Sequence, residues 1–257
     1  MRPFHAIVLK NELIAQDFVM LTLSASPAFE LPVRPGQFAH LTVPHAPEHL
    51  LRRPISIMSA SCENKTLTLG IEPKGEGTHF IAALSPGQEL ELLAPLGHGF
   101  DAHNAHSIWL IGGGVGVAPM RFAAEFFGQQ ASIVSYLGFR CKTRIHSLDA
   151  FASCGETVLC TDDGSAGYAG TVVDAMRERN CLPELVMACG PLPMLRAVQD
   201  FCLEKGVSGQ LSLEQRMGCG YGACLTCACK VHRANDVTTF ARVCADGPVF
   251  DVEKVVL

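Results

Sequence analysis

The chain has 257 residues, is 48% hydrophobic and carries a net charge of −5, which gives it enough apolar material for more than one buried core and excludes a disordered chain. No block of Lys and Arg stands out, which argues against a nucleic-acid partner, and no stretch approaches the ~18 consecutive apolar residues of a membrane-spanning helix. The opening "MRPFHAIVLKNELIAQ" lacks the apolar run of a secretory signal, so the twelve cysteines are expected as free thiols in a reducing cytoplasm rather than as disulfides.

Residues 1–100 read as short strands punctuated by Pro and Gly: "FHAIVLKNELI", "FVMLTLSA", "QFAHLTV", "RRPISIMSA", "TLTLGIEP" and "QELELLAP". Turns such as "RPGQ" and "SPGQ" separate them, and one short helix is expected near "THFIAAL". Strands this closely spaced predict a closed or nearly closed antiparallel barrel. From Ser107 the rhythm changes. The apolar runs "SIWLIGG", "ASIVSYLGF", "ETVLCTDD" and "ELVMACGP" alternate with helical patterns in "VAPMRFAAEFF", "RIHSLDAFA", "TVVDAMRERN" and "LPMLRAVQDFCLEKG". That alternation predicts a Rossmann-like α/β domain over 101–210, with a parallel sheet covered on both faces. Residues 211–257 form a short Cys- and Gly-rich segment, too small to hold much core of its own. The fold class is therefore multidomain, β plus α/β, without internal repeats.

Four motifs bear chemistry. "LIGGGVGVAP" turns from strand to helix on Gly112, Gly113, Gly114 and Gly116. Glycines let the backbone approach a phosphate, and the helix start offers unpaired N–H groups to an anion. Ala118 and Pro119 depart from the strict dinucleotide fingerprint, so a plain structural turn competes with nucleotide binding. "LRRPISIMSA" sets Arg52 and Arg53 before a strand bearing Ser56 and Ser59. An arginine there can pair with a phosphate, or form a solvated strand edge. "GEGTHF" puts Gly77 and Thr78 at a helix start, suited to a cap or to an anion.

The fourth motif is "GCGYGACLTCACK" with a later "RVCADGPVF". Cys219-x4-Cys224-x2-Cys227, followed at a distance by Cys244, has the spacing of plant-type [2Fe–2S] ferredoxins. One loop can aim three thiolates inward while small neighbours (Gly218, Gly220, Gly222, Ala223) let backbone amides approach the sulfurs. A four-cysteine zinc site is the alternative, but it usually presents two C-x2-C pairs and only one occurs here. Cys229 falls outside the spacing and is expected to pack. The remaining seven cysteines read as small buried hydrophobes.

Together, "RPISI", "GEGT", "PLGHGF", "GGGVGVAP", "CGPLPML" and "EQRMGCGYGACLTCACK…CADGPVF" occur in an order that resembles the electron-transfer subunits of type B dihydroorotate dehydrogenases, within the ferredoxin reductase superfamily. The resemblance covers essentially the whole chain. His98 stands where these proteins often have Asn, and Tyr221 sits inside the cysteine run, but neither removes a ligand. The resemblance implies an FAD-binding barrel over 1–100, an NAD(H)-binding domain over 101–210 and one [2Fe–2S] cluster in 211–257, on Cys219, Cys224, Cys227 and Cys244. It places Arg53, Pro54, Ile55 and Ser56 at the flavin and its pyrophosphate, with Gly70, Ile71 and Glu72 alongside and Gly77 and Thr78 on the pyrophosphate. The glycine run and Cys189, Gly190 and Pro191 would face the nicotinamide cofactor.

The implied role is transfer of electrons between NAD(H), FAD and the cluster, to or from the FMN of a separate catalytic subunit in a heterotetramer. Tyr221 and Leu225 are candidate partner contacts, or mere shields of the cluster. Arg140, after the second α/β strand, could meet a 2′-phosphate and leaves the choice of NADH or NADPH open. Two rival readings stand beside this one. The first is a flavin/iron–sulfur subunit of another complex, of ferredoxin-NADP, sulfide dehydrogenase or hydrogenase type. The second is a zinc-stabilised binding module without a redox role.

Overall fold

A computed structural model describes residues 2–30, 32–43, 48–232 and 237–257. The six expected N-terminal strands form: β1 (Phe4–Ala15), β2 (Phe18–Ser24), β3 (Phe38–Leu41), β4 (Arg53–Ser61), β5 (Thr66–Ile71) and β6 (Glu89–Leu96). They close into an antiparallel barrel in the order β1-β2-β5-β4-β3-β6. Closure is made by the first and last strands, with Phe4 opposite Leu92 and Ile7 opposite Glu89. In β2 the period-2 pattern points Leu21 and Leu23 inward, where they meet the fully buried Leu41, Ile57, Leu67 and Leu69. Each such side chain contributes roughly 1.5–3 kcal/mol of burial free energy. The short helix α1 (Glu76–Ala82) lies between β5 and β6.

The second half builds a seven-stranded sheet. Its strands are β7 (Ser107–Gly113), β8 (Ser132–Phe139), β9 (Gly155–Thr161), β10 (Tyr168–Ala169), β11 (Leu185–Cys189), β12 (Ser208–Ser212) and, from the far end of the chain, β15 (Val249–Asp251). The order is β10-β9-β8-β7-β11-β12-β15, parallel except for β15, which runs antiparallel to β12. Helices α2 (Val117–Phe127), α3 (Leu148–Ala152), α4 (Val172–Arg177) and α5 (Leu192–Lys205) connect the strands. Pro119 sits in the first turn of α2, where a missing N–H has no partner to lose. Gly206 ends α5 in the left-handed conformation (φ 63°) that a Cβ would disfavour.

Helix α2 joins the two halves. Phe122 enters the barrel's apolar cluster, and Ser59 Oγ donates to Glu125 at 2.7 Å. Ser59 is therefore committed to holding the barrel against the α/β unit. Arg52 pairs with Glu91 on the barrel, whereas the Arg53 guanidinium contacts the Leu51 carbonyl and His49 Nδ1.

Between β12 and β15 the chain makes the cysteine loop and a hairpin of β13 (Ala228–His232) and β14 (Thr238–Arg242). This segment is pinned from several sides. His98 N donates to Gly247 O at 2.6 Å, and a Cβ on Gly97 would lie 2.5 Å from Pro248 Cδ. The motifs "PLGHGF" and "ADGPVF" thus pack on each other, the first closing the barrel's end and the second carrying the chain into β15.

Candidate functional site

Two joined cavities lie between the barrel and the α/β unit. The larger, of about 730 Å³, opens at the carboxyl ends of β7, β8, β9 and β11 and is lined by Gly113, Gly114, Gly190 and Pro191, with Arg140 and Asp162 at β8 and β9. The smaller, of about 210 Å³, runs along the barrel's outer face over Phe38, Pro54, Ile55, Ser56 and Gly70, and reaches Thr78, Cys189 and Met217. Glu72, Lys74, Val115 and Glu214 line both.

The glycine run divides by task. Gly113 and Gly114 face the larger cavity, and a Cβ at Gly114 would meet nothing within 4 Å. Gly112 and Gly116 line neither cavity. A Cβ at Gly112 would lie 3.0 Å from Val117 Cα, and one at Gly116 only 2.2 Å from the carbonyl oxygen of Cys189. These two glycines let the turn fold back onto α2 and onto the end of β11. That approach sets the floor of the larger cavity beside Gly113 and Gly114. Cys189 is wholly buried, which pushes its thiol pKa up and keeps it protonated.

At the barrel, Arg53 lies over the start of α1: a Cβ on Gly77 would sit 2.7 Å from its Nε. Thr78 lines the smaller cleft while its hydroxyl accepts from the amides of Lys74 (3.0 Å) and Gly75 (3.1 Å), so it also caps its own turn. Ile71 points into the barrel core. Glu72 instead faces both cavities, paired with Lys74 at 2.8 Å and with Arg144 at 3.2 Å; Arg144 also holds Asp17 at 2.9 Å. This charged net ties the β1–β2 turn to the α/β unit across the cavity mouth. Glu214 is solvent-exposed on the wall shared by the two cavities; desolvation raises its carboxyl pKa, offset in part by Lys74 and reinforced by Glu72. His146 lines the larger cavity, stacked on Phe18 at 3.9 Å; burial lowers its pKa to about 4, with Arg121 adding to the effect.

Sequence reasoning missed Lys74, Arg144, His146 and Glu214. None lies in a strand or an α-helix; Glu214 opens the stretch "EQRMGCGYG" and Lys74 precedes "GEGT", yet nothing in the local pattern marks these side chains as cavity-lining. Phe38 could have been found, since alternation along "QFAHL" puts Phe38 and His40 on the face opposite Ala39 and Leu41.

The cysteines form two pairs. The thiols of Cys219 and Cys224 neighbour each other, as do those of Cys227 and Cys244. Among the described residues no three His, Cys, Asp or Glu side chains converge as for one metal ion. Two dithiol pairs side by side fit a two-iron cluster, each iron taking one pair, better than a mononuclear zinc site. Backbone amides reach the sulfurs, from Ala223 to Cys219 Sγ at 3.3 Å and from Cys244 to Cys227 Sγ at 3.4 Å. The Thr226 hydroxyl and amide hold Cys224 down to about 6, close to the thiolate that a ligand must be. Cys227 and Cys244 are buried, Cys224 is exposed, and Tyr221 and Leu225 stand exposed beside them. Arg242, locked to Asp246 at 2.8 Å, donates to the carbonyl of Gly222 and props the loop. Cys229 packs in the core from β13, opposite Ala241.

A cleft on the outer face of a six-stranded barrel, a cavity at parallel strand ends and a dithiol-paired loop define a flavin- and nicotinamide-linked reductase chain with an iron–sulfur segment. Comparison with known proteins narrows this. Residues 214–256 match the family profile "iron-sulfur cluster binding domain of dihydroorotate dehydrogenase B". Over 254 residues the chain is 40% identical to the dihydroorotate dehydrogenase B (NAD(+)) electron transfer subunit of Bacillus caldolyticus, covering 97% of both. It is 38% identical over the full length of the same subunit from Geobacillus sp. strain WCH70. The chain belongs to the family of dihydroorotate dehydrogenase B electron transfer subunits. Among solved structures, an NADH-dependent reduced ferredoxin-NADP oxidoreductase superposes with a TM-score of 0.86 at 26% identity, over 98% of this chain and 89% of that one. The zinc-module reading falls with these findings. Among the described residues, no helix is long and apolar enough to cross a membrane.

Proposed function

We propose that this chain moves electrons between NAD(H), FAD and a [2Fe–2S] cluster, to or from the FMN of a catalytic dihydroorotate dehydrogenase subunit, and so serves the conversion of dihydroorotate to orotate in pyrimidine biosynthesis. One observation carries the reading: the nucleotide cavity opens into the barrel-face cleft, whose wall residue Met217 stands two positions before the first paired thiol, Cys219. When bound, the three groups supply hydride acceptance and its conversion to single-electron transfer. The protein's own task is positioning.

In this reading Arg53 pairs with the flavin diphosphate beside Gly77 and Thr78. Pro54, Ile55, Ser56, Gly70, Ile71 and Glu72 follow the flavin along the barrel. Gly112, Gly113, Gly114 and Gly116, with Cys189, Gly190 and Pro191, shape the nicotinamide side, while Cys219, Cys224, Cys227 and Cys244 hold the cluster. Segments 1–100, 101–210 and 211–257 thus divide the three cofactors. Asp162, in the same cavity as Arg140, favours the hydroxyls of NAD(H) over a 2′-phosphate. The exposed Tyr221 and Leu225 sit where a partner would dock, in a heterotetramer of two chains of each kind. Twelve cysteines without a disulfide suit a cytoplasmic setting.

The purified chain should oxidise NADH with artificial acceptors yet leave dihydroorotate untouched. Adding an FMN-containing dihydroorotate dehydrogenase subunit should couple the two reactions, and a charge placed at Tyr221 or Leu225 should weaken the coupling without bleaching the cluster. Dihydroorotate oxidation by the chain alone would refute the reading. The structural likeness to a ferredoxin-NADP oxidoreductase supports one rival, a subunit of another reductase complex. Identification of the co-purifying partner separates the two.

A further inference from the structure

His40 is a buried side chain against the cysteine loop that none of the roles above employs. It projects from β3, wholly inaccessible to solvent. Neither ring nitrogen meets a partner in strict hydrogen-bond geometry among the described residues; the backbones of Arg52 and of Cys219 lie nearest, Arg52 on the barrel and Cys219 in the cysteine loop. A buried imidazole calls for a hydrogen-bond partner, and on the cysteine-loop side the ring faces the Cys219 end of that loop.

Its surroundings say where that partner lies. On one side, His40 is the register partner of Pro54, which lines the barrel-face cleft together with Phe38, two residues before His40 on the same strand face. On the other side the ring abuts the cysteine loop. A Cβ built at Gly220 would fall 2.4 Å from His40 Nδ1, and Gly220 has φ +80°, a conformation that L side chains rarely adopt. The residue following ligand Cys219 is thus a glycine whose missing side chain makes room for this ring. The imidazole occupies the wall between flavin cleft and cluster loop.

We propose that His40 is a positioning residue for the [2Fe–2S] cluster, donating a ring N–H hydrogen bond to the cluster's Cys219 side and thereby raising its reduction potential. The inference rests on the cluster assignment given above. Hydrogen bonds to cluster sulfurs stabilise the more negative, reduced state and are among the terms that set such potentials. The donor arrives from the barrel, so the strand that carries the flavin cleft also tunes the next electron carrier.

The test uses the full chain with its cofactors. Protein labelled with 15N only at histidine is reduced, and pulsed EPR should reveal a 15N coupling to the cluster, which needs no variant. His40→Leu removes the donor at similar volume. Its cluster should titrate at lower potential, with about a tenfold fall in the reduced-to-oxidised ratio at fixed potential, as loss of one hydrogen bond implies, or about 59 mV for one electron. His40→Asn restores an N–H near the Nδ1 position and should recover most of the shift. Cluster spectra with no histidine 15N coupling, or a His40→Leu potential equal to that of the unaltered chain, overturn this inference and leave the cluster assignment standing. A chain that binds no [2Fe–2S] cluster overturns both.

Discussion

Replacing Gly116 by Ala isolates a single contact. Gly116 has φ −65° and ψ −12°, a conformation open to any residue, so the backbone raises no objection. The objection is steric. The new Cβ would lie 2.2 Å from the Cys189 oxygen, 2.4 Å from its carbonyl carbon and 2.6 Å from Gly190 N. All three are backbone atoms of the β11 end and cannot rotate away. Restoring ordinary contact needs a displacement of about 1 Å between the glycine turn and the Cys189–Gly190–Pro191 segment. Overpacking of this kind costs about 1–3 kcal/mol, or some 2–4 °C in melting temperature for each kcal/mol in a chain of this size. The same shift moves both walls of the larger cavity, proposed above to hold the nicotinamide, and a misplacement of about 1 Å is worth around 10²-fold in rate. Stopped-flow reduction of the bound flavin by NADH should slow by about that factor in Gly116→Ala, while absorbance reports flavin and cluster still in place. An Ala variant with the unaltered melting temperature and NADH kinetics would refute the packing argument.

Arg53→Ala should purify with less FAD, since a charged hydrogen bond to a diphosphate is worth about 1.5–3 kcal/mol, ten- to a hundredfold in affinity; flavin-to-protein ratio after dilution measures it. Serine at Cys219, Cys224, Cys227 or Cys244 should lower iron per chain, whereas Cys229→Ser should keep it, because Cys229 belongs to neither thiol pair and packs from β13 opposite Ala241; the reverse pattern would overturn the ligand assignment. His146 predicts acid sensitivity. Its pKa falls from 6.5 to about 4 on folding, so between these pH values the unfolded chain binds a proton that the native chain refuses, and stability falls as the pH is lowered, by up to about 1.4 kcal/mol per unit. The loss should be fully present below pH 4 and absent above 6.5. Melting curves across that window should flatten in His146→Phe, which keeps the aromatic contact with Phe18, and an unchanged slope would count against the assignment.

Much of this was legible in the sequence by itself. All six barrel strands were marked by alternation and by Pro and Gly turns, the strand–helix rhythm from Ser107 onward announced the parallel sheet, and the cysteine spacing pointed to the four paired thiols. These signals are local, since side-chain periodicity and turn chemistry act between residues a few positions apart. The tertiary structure decided the rest. The edge strand Val249–Asp251 has three residues, too few for a period to register, and forms because Ser208–Ser212 offers it a partner. Gly116 reads in the sequence as one glycine of a strand-to-helix turn, and only the structure brings it against the Cys189 carbonyl at the end of β11. Glu72 and Glu214, distant in the chain, came to line the same two cavities. His40 read as one more residue of a barrel strand until Gly220 was found against its ring. Such contacts join segments up to about 180 positions apart, and no local preference encodes them: they exist only once the barrel, the sheet and the cysteine loop have buried their apolar faces against one another.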